Sequence, residues 1–247
     1  MPVSLSPSAL LFARLSSMAA LGDHEWRKLR GLDLRRPEVW RPNTCLPVRE
    51  RAPETAHLII SGWAGRIRTL RDGRRQIINI LLPGDFVEVS HAAPARAVTR
   101  VSAFTLLSTI PAHDFLNEWR APSREPALAA ALDLIAAEDE YFLHNQIVRL
   151  GRQLAFERVA NLFMELDHRL SSRGLSHSGS FLFPLTQEAI SAVVGLSVVH
   201  VNRTLQQMRR DGHISLTAGH IKLLNKEALS QAGEFIAPGH PKSVSAS

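Results

Sequence analysis

The sequence predicts an α+β protein in which an antiparallel β-roll is followed by a long helix and then by a helix-turn-helix with a β-hairpin. Three observations lead to this prediction: short β-rich runs between turn dipeptides within 38–112, a helical period from Glu125, and two short capped helices that begin near Thr186. The 247 residues are enough for one or two domains. We expect a sensor-type roll domain over 1–124, the long helix over 125–150, a winged helix-turn-helix domain over 151–235 and a disordered tail over 236–247.

Composition limits the class of protein. The 29 lysines and arginines outnumber the 23 acidic residues, and the resulting formal net charge of +6 fits a nucleic-acid partner without requiring one. A single cysteine, Cys45, excludes an internal disulfide and a four-cysteine iron–sulfur cluster within one chain. No apolar run reaches about 18 residues, so we expect no transmembrane helix and a cytoplasmic protein.

The N-terminal part begins with a helical period over 8–36 that Gly22 interrupts, after which prolines at 37, 42, 47 and 53 exclude a helix. β-rich runs follow at 58–60, 63–70, 76–82 and 97–110. The Asp72-Gly73 dipeptide predicts a hairpin turn, because glycine adopts the positive φ that such turns require, and Pro83-Gly84-Asp85 predicts another turn. Short strands at this spacing are typical of a small antiparallel roll or barrel over about 38–112.

The helical period from Glu125 predicts one helix of about 25 residues, or about 37 Å. Its apolar positions are Leu128, Leu132, Ile135, Phe142 or Leu143, Ile147 and Leu150, and Asp139 interrupts them. This length exceeds what one small roll needs, so the matching helix of a second subunit is a natural cover for the apolar face. A core helix packed within its own chain explains the pattern equally well. A second amphipathic helix over 154–170 and a polar loop over 171–180 follow.

Two short helices separated by a glycine begin at Thr186. Thr186 and Ser197 are both favourable N-cap residues, and the second helix is predicted to run to about Asp211. Gly195 permits a tight turn between the helices. The predicted buried positions are Ile190, Val193 and Val194 in the first helix and Val201, Leu205 and Met208 in the second. This pattern indicates a helix-turn-helix.

The outer face of the second helix carries side chains suited to base edges. Val199, Asn202, Arg203 and Gln206 recur at i, i+3, i+4 and i+7. The planar arginine fork can bond guanine O6 and N7 together, and asparagine and glutamine can do the same for adenine. The capped helix start over 197–199 offers free backbone N–H groups to a phosphate. The candidates at this surface also include Thr186, Ser197, Val198 and His200.

Two further β runs, over 213–216 and 220–224, are joined by Thr217-Ala218-Gly219 and predict a wing after the second helix. Arg209, Arg210, His220 and Lys222 are candidates for phosphate contacts. Any amphipathic helix pair in a globular protein has a polar face as well. The two caps, the glycine turn, the wing and the basic balance together favour a domain that binds double-stranded DNA.

Two strings of this sequence resemble the Crp/Fnr superfamily of transcription regulators. They are LTQEAISAVVGLSVVHVNRTLQQMRRDGHI, with the specific core HVNRTLQ, and ISGWAGRIRTLRDGRRQIINILLPGDF about a hundred residues earlier. The resemblance covers about residues 10–230. It implies a β-roll like a cyclic-nucleotide-binding domain, a homodimer joined along the long helix, a palindromic DNA site read by a recognition helix at 198–211, and RNA polymerase as a partner.

The sequence departs from the pattern of that superfamily at two places. Val199 stands where members often carry a glutamate, and a valine cannot accept a hydrogen bond from cytosine N4, although it can contact a thymine methyl group. Cyclic-nucleotide binders carry a Gly-Glu-Leu turn and an Arg-Ser pair. Here the turn is Gly84-Asp85-Phe86, and Arg96 precedes an alanine. Gly84, Asp85 and Arg96 are the candidate effector-binding residues, the effector itself is unknown, and we expect no cyclic AMP binding and no cofactor.

The alternative interpretation is a cupin-like metal-binding enzyme with an appended helical domain. His57, His91 and His113 fall in or beside the β-roll, but a His-x-His pair followed by a carboxylate is absent. No Ser/His/Asp order, P-loop or GxGxxG appears, so we predict neither a metal site nor an enzyme. Cys45 is interpreted as an inert thiol or as a redox or haem ligand.

Overall fold

The computed structural model describes residues 6–46, 54–90, 99–120 and 125–239. In this part of the chain the predicted fold class is confirmed: β-roll, long helix and winged helix-turn-helix follow one another in that order. The chain divides into two compact units, the first of Met1–Arg68, Ile80–Asp139 and Gly239–Ser247, the second of Thr69–Asn79 and Glu140–Pro238. The domain boundaries drawn from the sequence stay a prediction, and most of the predicted tail lies outside the described residues.

The first unit begins with helix α1 (Pro7–Ser16), helix α2 (Asp23–Leu29) and a 3₁₀ turn (Arg30–Leu34). The hydroxyl of Ser6 caps α1 by accepting the Ala9 N–H at 3.2 Å, and a proline occupies the first turn. The break between α1 and α2 contains Gly22, as predicted. Leu11 and Leu15 of α1 are fully buried, so this segment is part of the core of the first unit.

The β-roll consists of two antiparallel sheets. Its strands are β1 (Glu38–Trp40), β2 (Glu54–Ser61), β3 (Ala64–Thr69), β4 (Arg75–Leu81), β5 (Phe86–Ser90), β6 (Arg100–Ala103) and β7 (Leu107–Pro111). One sheet has the order β1-β7-β2-β5 and the other has the order β4-β3-β6. A core of Ile59, Ala64, Leu81, Val87 and Leu107 lies within the roll. Strand β1 was not predicted, because three residues among prolines give no periodic signal.

The two predicted turns of the roll are confirmed. Gly73 has φ +84°, and its N–H donates to the Leu70 carbonyl at 3.0 Å within the β3–β4 connection. Gly84 has φ +87°, and the Asp85 N–H donates to the Leu82 carbonyl at 3.0 Å. Both glycines adopt a backbone conformation that side chains disfavour, which explains why the DG and PGD strings fix these turns.

The apolar face of the long helix α4 (Pro126–Arg152) packs within its own chain. Leu128 and Ile135 are 1% and 5% exposed and belong to the same cluster as Leu11 and Trp119. Phe142 is 4% exposed, and its ring lies 5.2 Å from the guanidinium carbon of Arg169. At Leu128, Ile135 and Phe142 the alternative of a core helix packed within its own chain is therefore confirmed, whereas Leu143 and Ile147 of the predicted apolar row are exposed. Trp119 ends helix α3 (His113–Trp119), which the sequence analysis missed.

The second unit contains the C-terminal helices and a three-stranded sheet. They are α5 (Ala155–Ser171), β8 (Ser180–Leu182), α6 (Gln187–Val194), α7 (Val198–Arg210), β9 (Ile214–Thr217), β10 (His220–Leu223) and α8 (Lys226–Ala232). The sheet order is β8-β10-β9. Strand β8 begins at the last residue of the predicted loop, and α8 was not predicted. A buried network joins α4 to α5, because Arg149 Nη2 of α4 donates to Asn161 Oδ1 at 2.6 Å and to Glu165 Oε2 at 2.5 Å, both in α5.

Candidate nucleic-acid interface

Helix α6 is fixed at its start by Thr186. The Thr186 hydroxyl oxygen accepts the Ala189 N–H at 3.1 Å, as an N-cap does. Glu188 lies in the first turn, and its own backbone N–H together with the Thr186 hydroxyl lowers the pKa of this carboxyl. The other side of the helix is the predicted buried face, since Ile190, Val193 and Val194 are all buried. Local sequence signals therefore determine both the start and the orientation of α6.

The turn between the two helices depends on Gly195. Its φ of +64° is left-handed, and its N–H donates to the Ser191 carbonyl at 2.9 Å. A Cβ atom at this position would lie 2.9 Å from Leu150 Cδ2, closer than carbon atoms normally approach. Glycine is thus favoured mainly for its backbone conformation, since the end of the Leu150 side chain can shift to make room for a Cβ atom.

Three side chains bind the last carbonyls of α6, which have no partner within the helix. Gln76 Nε2 donates to the Ala192 oxygen at 2.8 Å, Gln146 Nε2 to Val193 at 2.7 Å, and Arg158 Nη1 to Val194 at 3.0 Å. These donors come from β4, α4 and α5, and all belong to the second unit. Sequence analysis missed them, because no local pattern marks a glutamine that binds a distant helix end.

Helix α7 follows with one buried and one exposed face. The Ser197 hydroxyl caps it by accepting the His200 N–H at 3.3 Å. Val201, Leu205 and Met208 are buried as predicted, and Thr204 is buried with them. The opposite face is exposed, with Val199 at 66%, and it carries Val198, Val199, His200, Asn202, Arg203 and Gln206. The structure therefore brings these candidates onto one accessible surface.

A shallow depression lies on this surface. It is lined by Gln187 of α6 and by Val198, Val199, Asn202, Arg203, Gln206 and Arg210 of α7. Gln187 was not among the candidates, and Arg210 was a candidate for phosphate contacts only. Gln187 joins the site because the first residue of α6 lies beside α7, where its Oε1 accepts a hydrogen bond from Asn202 Nδ2 at 3.1 Å. The predicted cap at Thr186 was the only sequence signal for its location.

The wing is formed by β9, the Ala218-Gly219 turn and β10. Ala218 and Gly219 have φ of +50° and +76°, and Thr217 pairs with His220 across this two-residue turn. Ile221 and Leu223 are buried, whereas His220 and Lys222 alternate with them and are exposed. Lys222 and the exposed Arg209 and Arg210 supply positive charge within the second unit. Such a distribution is suited to a polyanionic duplex.

The effector candidates have a different environment. Asp85 is buried and forms an ion pair of 2.9 Å with Arg14, and its other carboxylate oxygen accepts the Leu82 N–H at 2.7 Å. The Gly84 carbonyl accepts from Arg14 Nη1 at 3.0 Å. Arg14 Nη2 also lies 3.2 Å from Glu138 Oε2 and 3.2 Å from Asp139 Oδ1. These ion pairs explain why an acidic residue interrupts the apolar positions of the long helix. Burial lowers the pKa of Arg14, but the three carboxylates outweigh it and raise that pKa overall. Arg96 lies outside the described residues.

Where the structure describes them, the histidines and the cysteine form no metal centre. Among the described residues, no group of three or more His, Cys, Asp or Glu side chains is arranged to hold a metal ion. His57 is buried with its Nδ1 3.4 Å from the Thr109 hydroxyl, and His113 lies 2.9 Å from the Asn117 amide. His91 lies outside the described residues. Cys45 is exposed and forms an isolated bridge with Ser102. No helix in the described ranges is long and apolar enough to span a membrane.

A capped helix pair, a left-handed glycine turn, an exposed polar row on the second helix and a basic wing define a DNA-binding protein of the winged helix-turn-helix class. Residues 157–232 match the family described as Crp-like helix-turn-helix domain. The chain is thus similar to transcription regulators of the Crp/Fnr superfamily in its C-terminal domain, and the cupin-like alternative finds no support.

Known regulators are similar along most of the chain. The nitrogen fixation regulation protein FixK of Azorhizobium caulinodans is 28% identical over 197 residues, which are 76% of this chain and 75% of that protein. The transcriptional activator protein FnrL of Cereibacter sphaeroides is 29% identical over 195 residues, which are 74% of this chain and 75% of that protein. The structure of FixK2 from Bradyrhizobium japonicum matches with a TM-score of 0.66 at 24% identity and covers 83% of this chain and 100% of that one.

Proposed function

We propose that two copies of this chain bind a two-fold symmetric DNA site, each copy placing α7 in a major groove. The observation that carries this proposal is the exposed row Val199, Asn202, Arg203 and Gln206 opposite the buried row of the same helix. An α-helix fits the major groove, where each base pair presents a distinct set of donors and acceptors. For a symmetric dimer, the half-sites lie about one helical turn, or about 34 Å, apart.

Each candidate has a role that follows from its chemistry and place. Arg203 binds guanine O6 and N7 through its fork, Asn202 and Gln206 read adenine, and Val199 contacts a thymine methyl group. The start of α7 faces a phosphate with Ser197 and the backbone N–H groups of Val198 and Val199, and the side chain of His200 lies beside that phosphate. Thr186 at the start of α6 and Lys222 on the wing contact the sugar-phosphate backbone, which positions the protein without reading sequence.

The dimer contact is assigned to the exposed face of the second half of α4. Leu143, Ile147 and Val148 lie there, and they are 40%, 66% and 48% exposed. The opposite positions of that helix are buried within the chain, so the outer face is the one free to meet a second copy. Parallel packing of two such helices would bury these apolar side chains in a coiled-coil-like contact. A two-fold dimer matches a palindromic site.

The regulator acts in the cytoplasm, and RNA polymerase is its protein partner. The relative FnrL is a transcriptional activator protein, and activation requires a contact with the transcription machinery. Cyclic AMP is not the effector, and no cofactor is required. This part of the proposal is supported by Asp85, since both of its carboxylate oxygens already bind groups of the same chain.

Selection of bound duplexes from a random pool tests DNA binding, symmetry and sequence in one experiment. We expect enrichment of an inverted repeat, and affinity for it that falls steeply with salt because phosphate contacts release counterions. Enrichment of no sequence would overturn the base-reading role of α7.

Calorimetry with cyclic AMP should give no binding heat. Micromolar affinity together with enhanced DNA binding would show that the chain recognises this nucleotide through other groups.

A further inference from the structure

The side chains of Gln187 and Asn202 are hydrogen-bonded to each other across the two helices of the helix-turn-helix. Asn202 Nδ2 donates to Gln187 Oε1 at 3.1 Å. Asn202 is exposed in the outward row of α7, and Gln187 is half-buried at the first position of α6. Both side chains line the depression described above, beside Val199 and Arg203. The contact therefore lies within the proposed base-reading surface.

This hydrogen bond restricts what Asn202 can present to DNA. A carboxamide has one acceptor oxygen and two N–H donors. With one N–H bound to Gln187, the Oδ1 acceptor and the second N–H remain side by side. Adenine offers the complementary pair in the major groove, an N6 donor and an N7 acceptor. If the amide of Asn202 alone were reversed, its oxygen would face the oxygen of Gln187, so the two amides can reverse only together.

The two helix caps hold this arrangement in place. Thr186 fixes the backbone immediately before Gln187, and Ser197 fixes the first turn of α7, five residues before Asn202. Both side chains thus extend from restrained helix starts, and little freedom is lost when they pair. We propose that Gln187 is a positioning residue that sets the orientation of the Asn202 amide and thereby the base that Asn202 selects. The inference rests on the proposed function of α7.

Substitutions of Gln187 that keep or reverse its hydrogen-bonding role provide the test. Gln187→Glu can only accept, so it holds Asn202 in the same orientation. Gln187→Lys can only donate, so it turns the Asn202 oxygen inward and both N–H groups outward, toward acceptors such as guanine O6 and N7. Affinities of the full-length variants are measured on the selected duplex and on a panel that changes one base pair at a time.

We expect Gln187→Glu to lower affinity on all duplexes, through repulsion of phosphates, and to keep the adenine preference at one base pair. Gln187→Lys should raise overall affinity and shift the preference at that same base pair toward guanine by about fivefold or more. Gln187→Ala should reduce discrimination there, and in an Asn202→Ala background, which already lacks the reading amide, Gln187→Ala should change the preference no further. Gln207→Glu and Gln207→Lys on the exposed end of α7 are charge controls and should leave the preference unchanged.

Equal effects of the Gln187 and Gln207 variants on every duplex would overturn the inference and make Gln187 a phosphate contact. A change in base preference that persists in the Asn202→Ala background would do so as well. Neither result affects the proposed function, because the unsubstituted chain still binds its selected site. Failure of the unsubstituted chain to select any duplex is the separate outcome that removes both.

Discussion

Gln146 Nε2 of the long helix lies 2.7 Å from the carbonyl oxygen of Val193, in the last turn of the first helix of the helix-turn-helix. Both groups are buried, and Gln76 and Arg158 bind the neighbouring carbonyls. The end of α6 is thus held by side chains where a helix ordinarily relies on water or on a following turn. Three side chains outside the helix-turn-helix therefore help to hold its first helix in place.

Gln146→Leu should lower the free energy of unfolding by about 1–3 kcal/mol, because the buried Val193 carbonyl loses a donor. Affinity should fall by a similar factor on all duplexes, since the helix pair loosens as a whole. Urea unfolding and fluorescence anisotropy measure the two effects. Gln231→Leu, at an exposed position of α8, is the matched control and should change neither. Full stability of the Gln146 variant would argue that water replaces the amide.

Arg203→Ala should cost about 1–3 kcal/mol for each half-site and relax the preference at one base pair, because the bidentate contact to guanine is lost. Lys222→Ala should weaken binding to all sequences alike. It should also reduce the slope of log affinity against log salt concentration by about 1, because one phosphate contact is lost. The measurement is binding to duplexes altered one base pair at a time, at two salt concentrations. If Arg203→Ala loses affinity equally on every duplex, Arg203 binds phosphate instead.

Val199→Glu should introduce a preference for cytosine, since the carboxylate accepts a hydrogen bond from cytosine N4 and valine cannot. Val199 is 66% exposed and lines the depression of α7, so the substitution should leave folding intact. Val199→Thr serves as a control of similar shape without the charge. The same duplex panel reports the result, and an unchanged preference in the glutamate variant would place Val199 away from the base edges.

Ile147→Asp should weaken self-association and leave the fold intact, because Ile147 is 66% exposed on the face assigned to the dimer contact. Ile135→Asp should instead unfold the first unit, because it places a charge in a core where Ile135 is 5% exposed. Sedimentation velocity and thermal unfolding separate the two outcomes. Leu34→Asp, at an apolar position that is 87% exposed outside α4, is the control. An Ile147→Asp variant that remains dimeric would require another contact surface.

The ion pair between Lys28 and Glu125 should make the free energy of unfolding depend on pH. Lys28 Nζ lies 2.9 Å from Glu125 Oε1. Hydrogen bonding to Lys28 lowers the pKa of Glu125, although the Glu125 carboxyl is buried. A carboxyl whose pKa is lower in the folded state stabilises the fold above its ordinary pKa, and this contribution disappears as the pH falls through the lowered value. Lys28→Met should therefore lose more stability at pH 7 than at pH 3. Equal losses at both pH values would contradict the assignment.

Sequence alone predicted the helix-turn-helix closely, because its determinants are local. A threonine and a serine cap, one glycine and two apolar rows are readable within 25 residues, and the exposed row of α7 follows from helical period. The residues that pack against the apolar face of the long helix could not be predicted from the sequence. Periodicity predicts that Leu128 and Ile135 are buried, but not whether their own chain or a second copy covers them.

Contacts between distant residues were equally inaccessible to the sequence. Gln76 reaches Ala192 across 116 positions, and Arg14 reaches Glu138 across 124. Arg14 lies in no motif, and within the quoted β-roll string Gln76 is simply a polar residue of a strand. A polar residue in a strand and an arginine in an apolar helix are both ambiguous before the fold is known. Short elements such as β8 were missed because three residues carry too little pattern to distinguish a strand from a loop.

The buried guanidinium of Arg14 also decides how far the chain can be shortened. Helix α1 precedes the roll and looks dispensable in the sequence, yet Arg14 is the cation that neutralises Asp85 at the PGD turn and Glu138 on the long helix. Removing the first 16 residues would leave that acidic pair in the core of the first unit without its arginine, at a cost of several kcal/mol. A fragment prepared for crystallisation or for effector screening therefore needs to begin ahead of Pro7.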